Sequence, residues 1–151
     1  MKVWRLAARD RNDLDGEGAR LYGGRWNTSG TAVIYTAGTL SLAVLEYLVH
    51  VNPDKIPDDL MSIAGEIPNT LAVDHIAIET LPPNWHDFTL QPVTQTIGTQ
   101  WVTAGRSAVL RVPSVIIPQE SNYVLNPRHP EFSAITWSIP EPFSLDRRLL
   151  L

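Results

Sequence analysis

An isolated carboxylate, two arginines in unusual settings and a serine behind a proline are the groups of this chain with the clearest chemical potential. Glu46 lies in the run from Leu40 to Val51, where Leu40, Ala43, Val44, Tyr47, Leu48 and Val51 recur at helical spacing and Leu42, Leu45 and Val49 cover the other side. A helix apolar nearly all round is expected to be buried, and an unpaired carboxylate there is costly. Glu46 is therefore either a structural partner of a nearby arginine or a carboxylate held where positive charge develops in a reaction. Arg25 lies in Leu21-Tyr22-Gly23-Gly24-Arg25-Trp26-Asn27. Paired glycines allow close backbone approach, and the guanidinium fork suits phosphate. The alternative is a tight loop pinned by an aromatic side chain. Arg5 interrupts an apolar strand, sharing a face with Val3 and Ala7 opposite Trp4 and Leu6. It reads as a sheet-face ion pair or as an arginine reaching into a pocket. Ser114, after Val112-Pro113, has no G-x-S-x-G elbow around it and taken alone reads as a turn serine. Asn122 and Asn126 likewise read as turn residues.

Several other chemistries are excluded or weakly supported. With no cysteine, thiolate nucleophiles, thiolate metal sites and disulfides are ruled out. His50, His75, His86 and His129 show no ligand spacing, so no metal is expected. Gly23-Gly24 belongs to neither a P-loop nor a G-x-G-x-x-G fingerprint. A net charge of -4 and a pI of about 5.5 argue against direct nucleic-acid binding. Arg5, Arg9, Arg11, Arg20 and Arg25 nevertheless crowd the N-terminal region, where a small anion could bind; for Arg9, Arg11 and Arg20 a solvated surface offset by nearby acids is the preferred reading. No apolar run resembles a signal peptide or approaches the roughly 18 residues of a membrane span, so the expectation is a soluble, cytoplasmic protein.

The elements that must position these groups are short and punctuated by twelve prolines. The 151 residues suit one domain, 1–151, and 44% hydrophobic residues supply a core. Strands are expected at 3–7, 32–36, 60–67, 73–78 and 108–112, with extended structure resuming at 115–117 and short strands at 134–139 and 143–145. Residues 9–18 read as a loop, 82–85 as a stiff turn, 40–51 as a helix capped by Thr39 or Ser41, and 93–104 as a helix weakened by Gly98. Several strands around a few helices make an α+β domain.

Taken in order along the chain, these pieces resemble the RES-domain family, named for an Arg, a Glu and a Ser that here look like Arg25, Glu46 and Ser114. Val3-Trp4-Arg5-Leu6, Gly23-Gly24-Arg25-Trp26-Asn27, Val33-Ile34-Tyr35, Ala43-Val44-Leu45-Glu46 with His50, and Leu81-Pro82-Pro83-Asn84-Trp85 are similar to it. So are Gly98-Thr99-Gln100-Trp101, Val112-Pro113-Ser114, Asn122-Tyr123-Val124-Leu125-Asn126-Pro127, His129-Pro130, Phe132, Phe143, Asp146 and Arg147. The resemblance implies an ADP-ribosyltransferase-like fold, NAD+ as substrate, and cleavage of the nicotinamide–ribose bond by the toxin of a toxin–antitoxin pair. It implies a partner too: an Xre-like helix-turn-helix antitoxin that covers the site.

The residues fit that chemistry. The nicotinamide ring leaves as a neutral base while the ribose gains oxocarbenium character. Glu46 would stabilise that charge or hold a ribose hydroxyl, Arg5 and Arg25 would hold the pyrophosphate or, in the case of Arg25, an incoming anion, Tyr35 would stack on the nicotinamide or fix the ribose, and Ser114 would position rather than attack. Water and inorganic phosphate both remain open as acceptors. Transfer of ADP-ribose to a protein, and a non-catalytic docking module, are the competing readings.

Overall fold

Alternating apolar residues build a mixed sheet, and the two faces of that sheet do different work. The computed structural model describes residues 1–12, 14–87, 89 and 92–150; Asp13, within the stretch expected as a loop, lies outside them. In chain order the elements are β1 (Lys2–Ala8), α1 (Glu17–Tyr22), β2 (Ile34–Ala37), α2 (Leu40–His50), β3 (Leu60–Glu66), β4 (Val73–His75), α3 (Pro92–Ala104), β5 (Val109–Pro113), β6 (Ser121–Leu125), β7 (Thr136–Trp137) and β8 (Glu141–Pro142), with short 3-10 turns between. The strands run β4-β5-β6-β2-β1-β3-β7, and β8 also pairs with β3. Only β4 and β5 are parallel.

The register sorts the side chains. Trp4 pairs with Ala37, Tyr35 with Val124, Ala37 with Asn122, and Asn122 with Val112. Because directly paired residues point to the same side, Trp4, Tyr35, Ala37, Val112, Asn122 and Val124 share one face. Val3, Ile34, Val109 and Leu125 share the other, where they pack with Ile67 and Ile135 under Phe132 and Trp137. The first face takes the helices. α2 lays Leu42 and Ala43 on Ala37, Trp4 and Ile117. The loop before β2 and α3 bring Trp26 and Trp101 onto Leu110, Val112 and Val124, with Trp85 joining them.

The α+β class with short mixed strands and few helices holds, and several local expectations need correction. Residues 17 and 18, the end of the expected loop, instead begin α1, and 121–125 form a strand between β5 and β2, so Asn122 is no turn residue. Its alternation of Asn122 and Val124 on one face with Tyr123 and Leu125 on the other is strand periodicity that the neighbouring turn formers obscure. Residues 115–117 do not resume a strand: the amides of Ile116 and Ile117 fold back onto Ser114. β4 ends at His75, and β7 and β8 are two residues each. Finally, α2 is not buried all round. Leu42 and Ala43 are its buried residues, while Val49 is 59% exposed, because the helix packs on the sheet with one side.

Candidate functional site

Glu46 stands where α2 crosses the ends of β5 and β6. Thr39 caps the helix, its hydroxyl accepting from the Leu42 amide at 3.1 Å. The Leu42–Ala43 contact fixes which side faces the sheet, and Glu46 follows one turn after Leu42. Its Oε1 accepts from Ser114 Oγ at 2.9 Å and from Asn122 Nδ2 at 2.6 Å. Among the described residues no cation lies within ion-pair distance of this carboxylate. The structural alternative raised by the sequence, an Arg partner, is thus not what holds it: two neutral donors do.

Ser114 is fully buried, and its hydroxyl is committed. Oγ accepts from the amides of Ile116 and Ile117, both at 3.1 Å, and gives its proton to Glu46. A hydroxyl has one donor and two acceptor lone pairs. All three are engaged, so Oγ has no free lone pair with which to attack an electrophile. The turn at 115–117 and one of the two hydrogen bonds that orient Glu46 depend on this side chain.

The other half of the site is the loop between α1 and β2. Asn27 is fully buried, and its Nδ2 donates to the carbonyls of Ala19 at 2.8 Å and Thr31 at 3.0 Å. Its Oδ1 accepts from the Tyr35 hydroxyl at 2.6 Å, and that hydroxyl accepts from the Trp26 amide at 2.9 Å. Gly24 is required here, since a Cβ would stand 2.6 Å from the Tyr35 hydroxyl oxygen. From α3, Gln95 Nε2 donates to the Gly24 carbonyl at 3.0 Å and Thr99 Oγ1 accepts from the Thr28 amide at 3.0 Å. Gly98 lets α3 approach: a Cβ there would fall 1.7 Å from the Trp26 carbonyl oxygen. The glycine that weakened the helical reading of 93–104 is the one the helix needs. Burial raises the Tyr35 pKa, so the phenol keeps its proton over the whole neutral range.

Arg25 projects from this loop. Nη1 donates to the carbonyls of Trp85 at 2.9 Å and Thr89 at 3.4 Å, and Nη2 to that of Asp87 at 2.9 Å. Of the five guanidinium N–H groups, three hold the segment after the Pro82-Pro83 turn, and two have no acceptor among the described residues. Burial lowers the Arg25 pKa, and the nearby Glu46 and Asp87 carboxylates act the other way. Arg25 thus lies within the electrostatic reach of Glu46 without forming an ion pair with it.

Four of the five expected residues, Arg25, Tyr35, Glu46 and Ser114, are brought to the same side of the sheet. Arg5 is not among them. By alternation it shares Val3's face, away from α2, and its Nη2 donates to the Arg11 carbonyl at 3.3 Å. Two residues that sequence reasoning passed over prove central to the geometry: Asn122, which holds Glu46, and Asn27, which joins α1, the loop and β2. Asn27 follows directly on Gly-Gly-Arg-Trp, and that setting was its only signal. Among the described residues no group of His, Asp and Glu is arranged to hold a metal ion, and no helix is long and apolar enough to cross a membrane.

A family model, the RES domain, matches residues 2–146. The chain belongs to the RES-domain toxin family. Toxin Res of Photorhabdus laumondii is 39% identical over 89% of this chain and 86% of its own length. Toxin Res of Pseudomonas putida is 35% identical over 99% of each. The Prs ADP-ribosylating toxin of a Sphingobium species is 39% identical over 87% of this chain and 86% of its own. Among solved structures, the M. tuberculosis MbcT–MbcA toxin–antitoxin complex contains a chain that superposes with a TM-score of 0.74 at 18% identity, covering 95% of this RES domain and 84% of that chain. The likeness in fold thus extends over nearly the whole chain at an identity that would not reveal it.

Proposed function

We propose that this RES domain degrades NAD+ by cleaving the nicotinamide–ribose bond, and that it is the toxin of a toxin–antitoxin pair. The observation that carries the reading is Glu46: a half-buried carboxylate, oriented by two neutral donors and with no ion-pair partner among the described residues. Such a group has its charge available for a cation that develops during reaction, and it is already aimed, so little reorganisation is needed. The departing nicotinamide takes the bonding electrons and becomes neutral, while the ribose C1 gains the positive charge that Glu46 faces. Arg25, an anchored fork with two N–H groups that meet no acceptor among the described residues, is assigned to the pyrophosphate or to an incoming phosphate. The protonated Tyr35 shapes the neighbouring wall and holds the Arg25 loop in place. Ser114 orients Glu46. Arg5, on the other face, is left out of the substrate contacts and braces the turn at 9–11.

The acceptor is water or inorganic phosphate. Incubation of the purified protein with NAD+ separates the two: ADP-ribose marks hydrolysis, and ADP-ribose 1″-phosphate, formed only with phosphate present, marks phosphorolysis. Intact NAD+ under both conditions would overturn the proposal. One observation favours a second reading, since a 39%-identical relative bears the name of an ADP-ribosylating toxin. In that case the same bond breaks but a protein side chain accepts, and labelled NAD+ in a lysate would leave a labelled band. A docking module without chemistry has no use for a carboxylate arranged in this way.

The partner is an Xre-like helix-turn-helix antitoxin that covers the site. Support comes from the structural neighbour, which is a toxin–antitoxin complex, and from Val49, which α2 leaves 59% exposed one turn after Glu46. A complex that still consumes NAD+ at the full rate would contradict this mode of control.

A further inference from the structure

Asn122 enters β6 opposite Ala37 on one side and Val112 on the other, so the sheet directs its side chain toward α2. Its Nδ2 lies 2.6 Å from Glu46 Oε1, closer than Ser114 Oγ at 2.9 Å, and both donors converge on the same oxygen. The amide cannot be turned round, because that would set its carbonyl oxygen against a carboxylate, two acceptors facing each other. In the required orientation Asn122 Oδ1 is buried with no hydrogen-bond partner among the described residues. A strand residue with only a packing role would not leave a buried acceptor unpaired, since such groups oppose folding. Leucine or valine would fill the position without that penalty.

We infer that Asn122 is a positioning residue for the reaction proposed above: together with Ser114 it fixes Glu46 through Oε1, so that Oε2 is the oxygen presented to substrate. The inference rests on that reaction for its kinetic consequence, but the contact itself can be tested without it. Ser114 directly follows β5 and Asn122 lies within β6, so the carboxylate is held from two places and cannot swing about one hydrogen bond. Removing either donor leaves the other as a hinge.

Two variants and two readouts test this. In N122A the donor and the unpaired acceptor leave together. The protein should melt at or above the wild-type temperature, kcat for NAD+ should fall about tenfold with KM little changed, and the Glu46 carboxyl carbon resonance of protein carrying labelled glutamate should shift at neutral pH, because a hydrogen-bond donor to Oε1 is gone. In N122D the introduced carboxylic acid can still donate to Glu46 while protonated, but on ionising it repels Glu46. That variant should show an alkaline fall in kcat that wild type lacks. A lowered melting temperature with an unmoved Glu46 resonance in N122A, or a wild-type-shaped pH profile in N122D, would make Asn122 an ordinary strand residue and overturn the inference. A shifted Glu46 resonance in a protein that leaves NAD+ intact would sustain the contact and overturn the NAD+ reading instead.

Discussion

The loop that carries Arg25 and the helix that carries Glu46 bring opposite charges to one face of the sheet by different means. The loop is held by directional bonds. Asn27 and Tyr35 tie it internally, Gln95 and Thr99 of α3 clamp its backbone, and two glycines remove the Cβ atoms that would stand in the way. Helix α2 is held by apolar contact of Leu42 and Ala43 with Trp4, Ala37 and Ile117, and most of its remaining surface stays partly exposed. Among the described residues, side-chain donors from the sheet side reach α2 at Glu46. The cation is thus occupied by backbone carbonyls and the anion by neutral donors, and neither cancels the other. Opposite charges left free to move would pair with each other, and a paired carboxylate has less field to offer a transition state.

The comparison can be broken most severely at the contact between α3 and the loop. Gly98→Ala sets a Cβ against the Trp26 carbonyl oxygen, a backbone atom that no rotamer change can move. Overpacking of this kind should destabilise by about 3 kcal/mol, read by urea unfolding, although alanine is the better helix former by roughly 1 kcal/mol. A stabilised variant would show that the loop is not clamped as described. Next comes Tyr35→Phe, which leaves the Trp26 amide and Asn27 Oδ1 without their partner and should cost about 2 kcal/mol. The same residue fixes a pH dependence. The folded-state pKa of Tyr35 is raised above its ordinary value of 10.0, so the folded state retains a proton that the unfolded chain loses. Stability is therefore unaffected below pH 10 and falls above it, with a slope of up to about 1.4 kcal/mol per pH unit from this group. Tyr35→Phe should lack that part of the alkaline slope. A smaller effect is expected for Arg25→Lys. A single ammonium cannot span the Trp85, Asp87 and Thr89 carbonyls as the fork does, and NAD+ turnover should fall about tenfold, with a fold-wide stability change under about 1 kcal/mol.

How much of this could be read from the sequence differed between the two regions. Helix α2 and its carboxylate were legible, because a charge in an apolar helical pattern is conspicuous and Thr39 and Asn52-Pro53 mark the ends. What was not legible was that α2 is only half covered: periodicity reports which residues are apolar, not whether a partner element exists to cover them. The loop showed its glycines and Arg25 but not its hub. Asn27 and Asn122 look like ordinary turn residues one at a time, and their roles come from contacts across 8 and 76 positions of sequence. Gly98 is the clearest case of a local rule losing to a tertiary one, since its low helix propensity is outweighed by the approach it allows to Trp26. Arg5 was read correctly as a strand residue sharing Val3's face. Which face would carry the chemistry depended on where α2 folds back, and no local pattern specifies that.

The central claim is that the charge of Glu46 acts in the transition state. Steady-state NAD+ consumption by wild type and Glu46→Gln, each confirmed as folded by its melting curve, tests it most directly. Glutamine keeps the length and an oxygen to accept from Ser114 and Asn122, and it removes only the charge. The account predicts a fall in kcat of about a hundredfold, the size of one preorganised electrostatic contact of about 3 kcal/mol, with KM nearly unchanged. A folded Glu46→Gln protein that turns over NAD+ at the wild-type rate would contradict it.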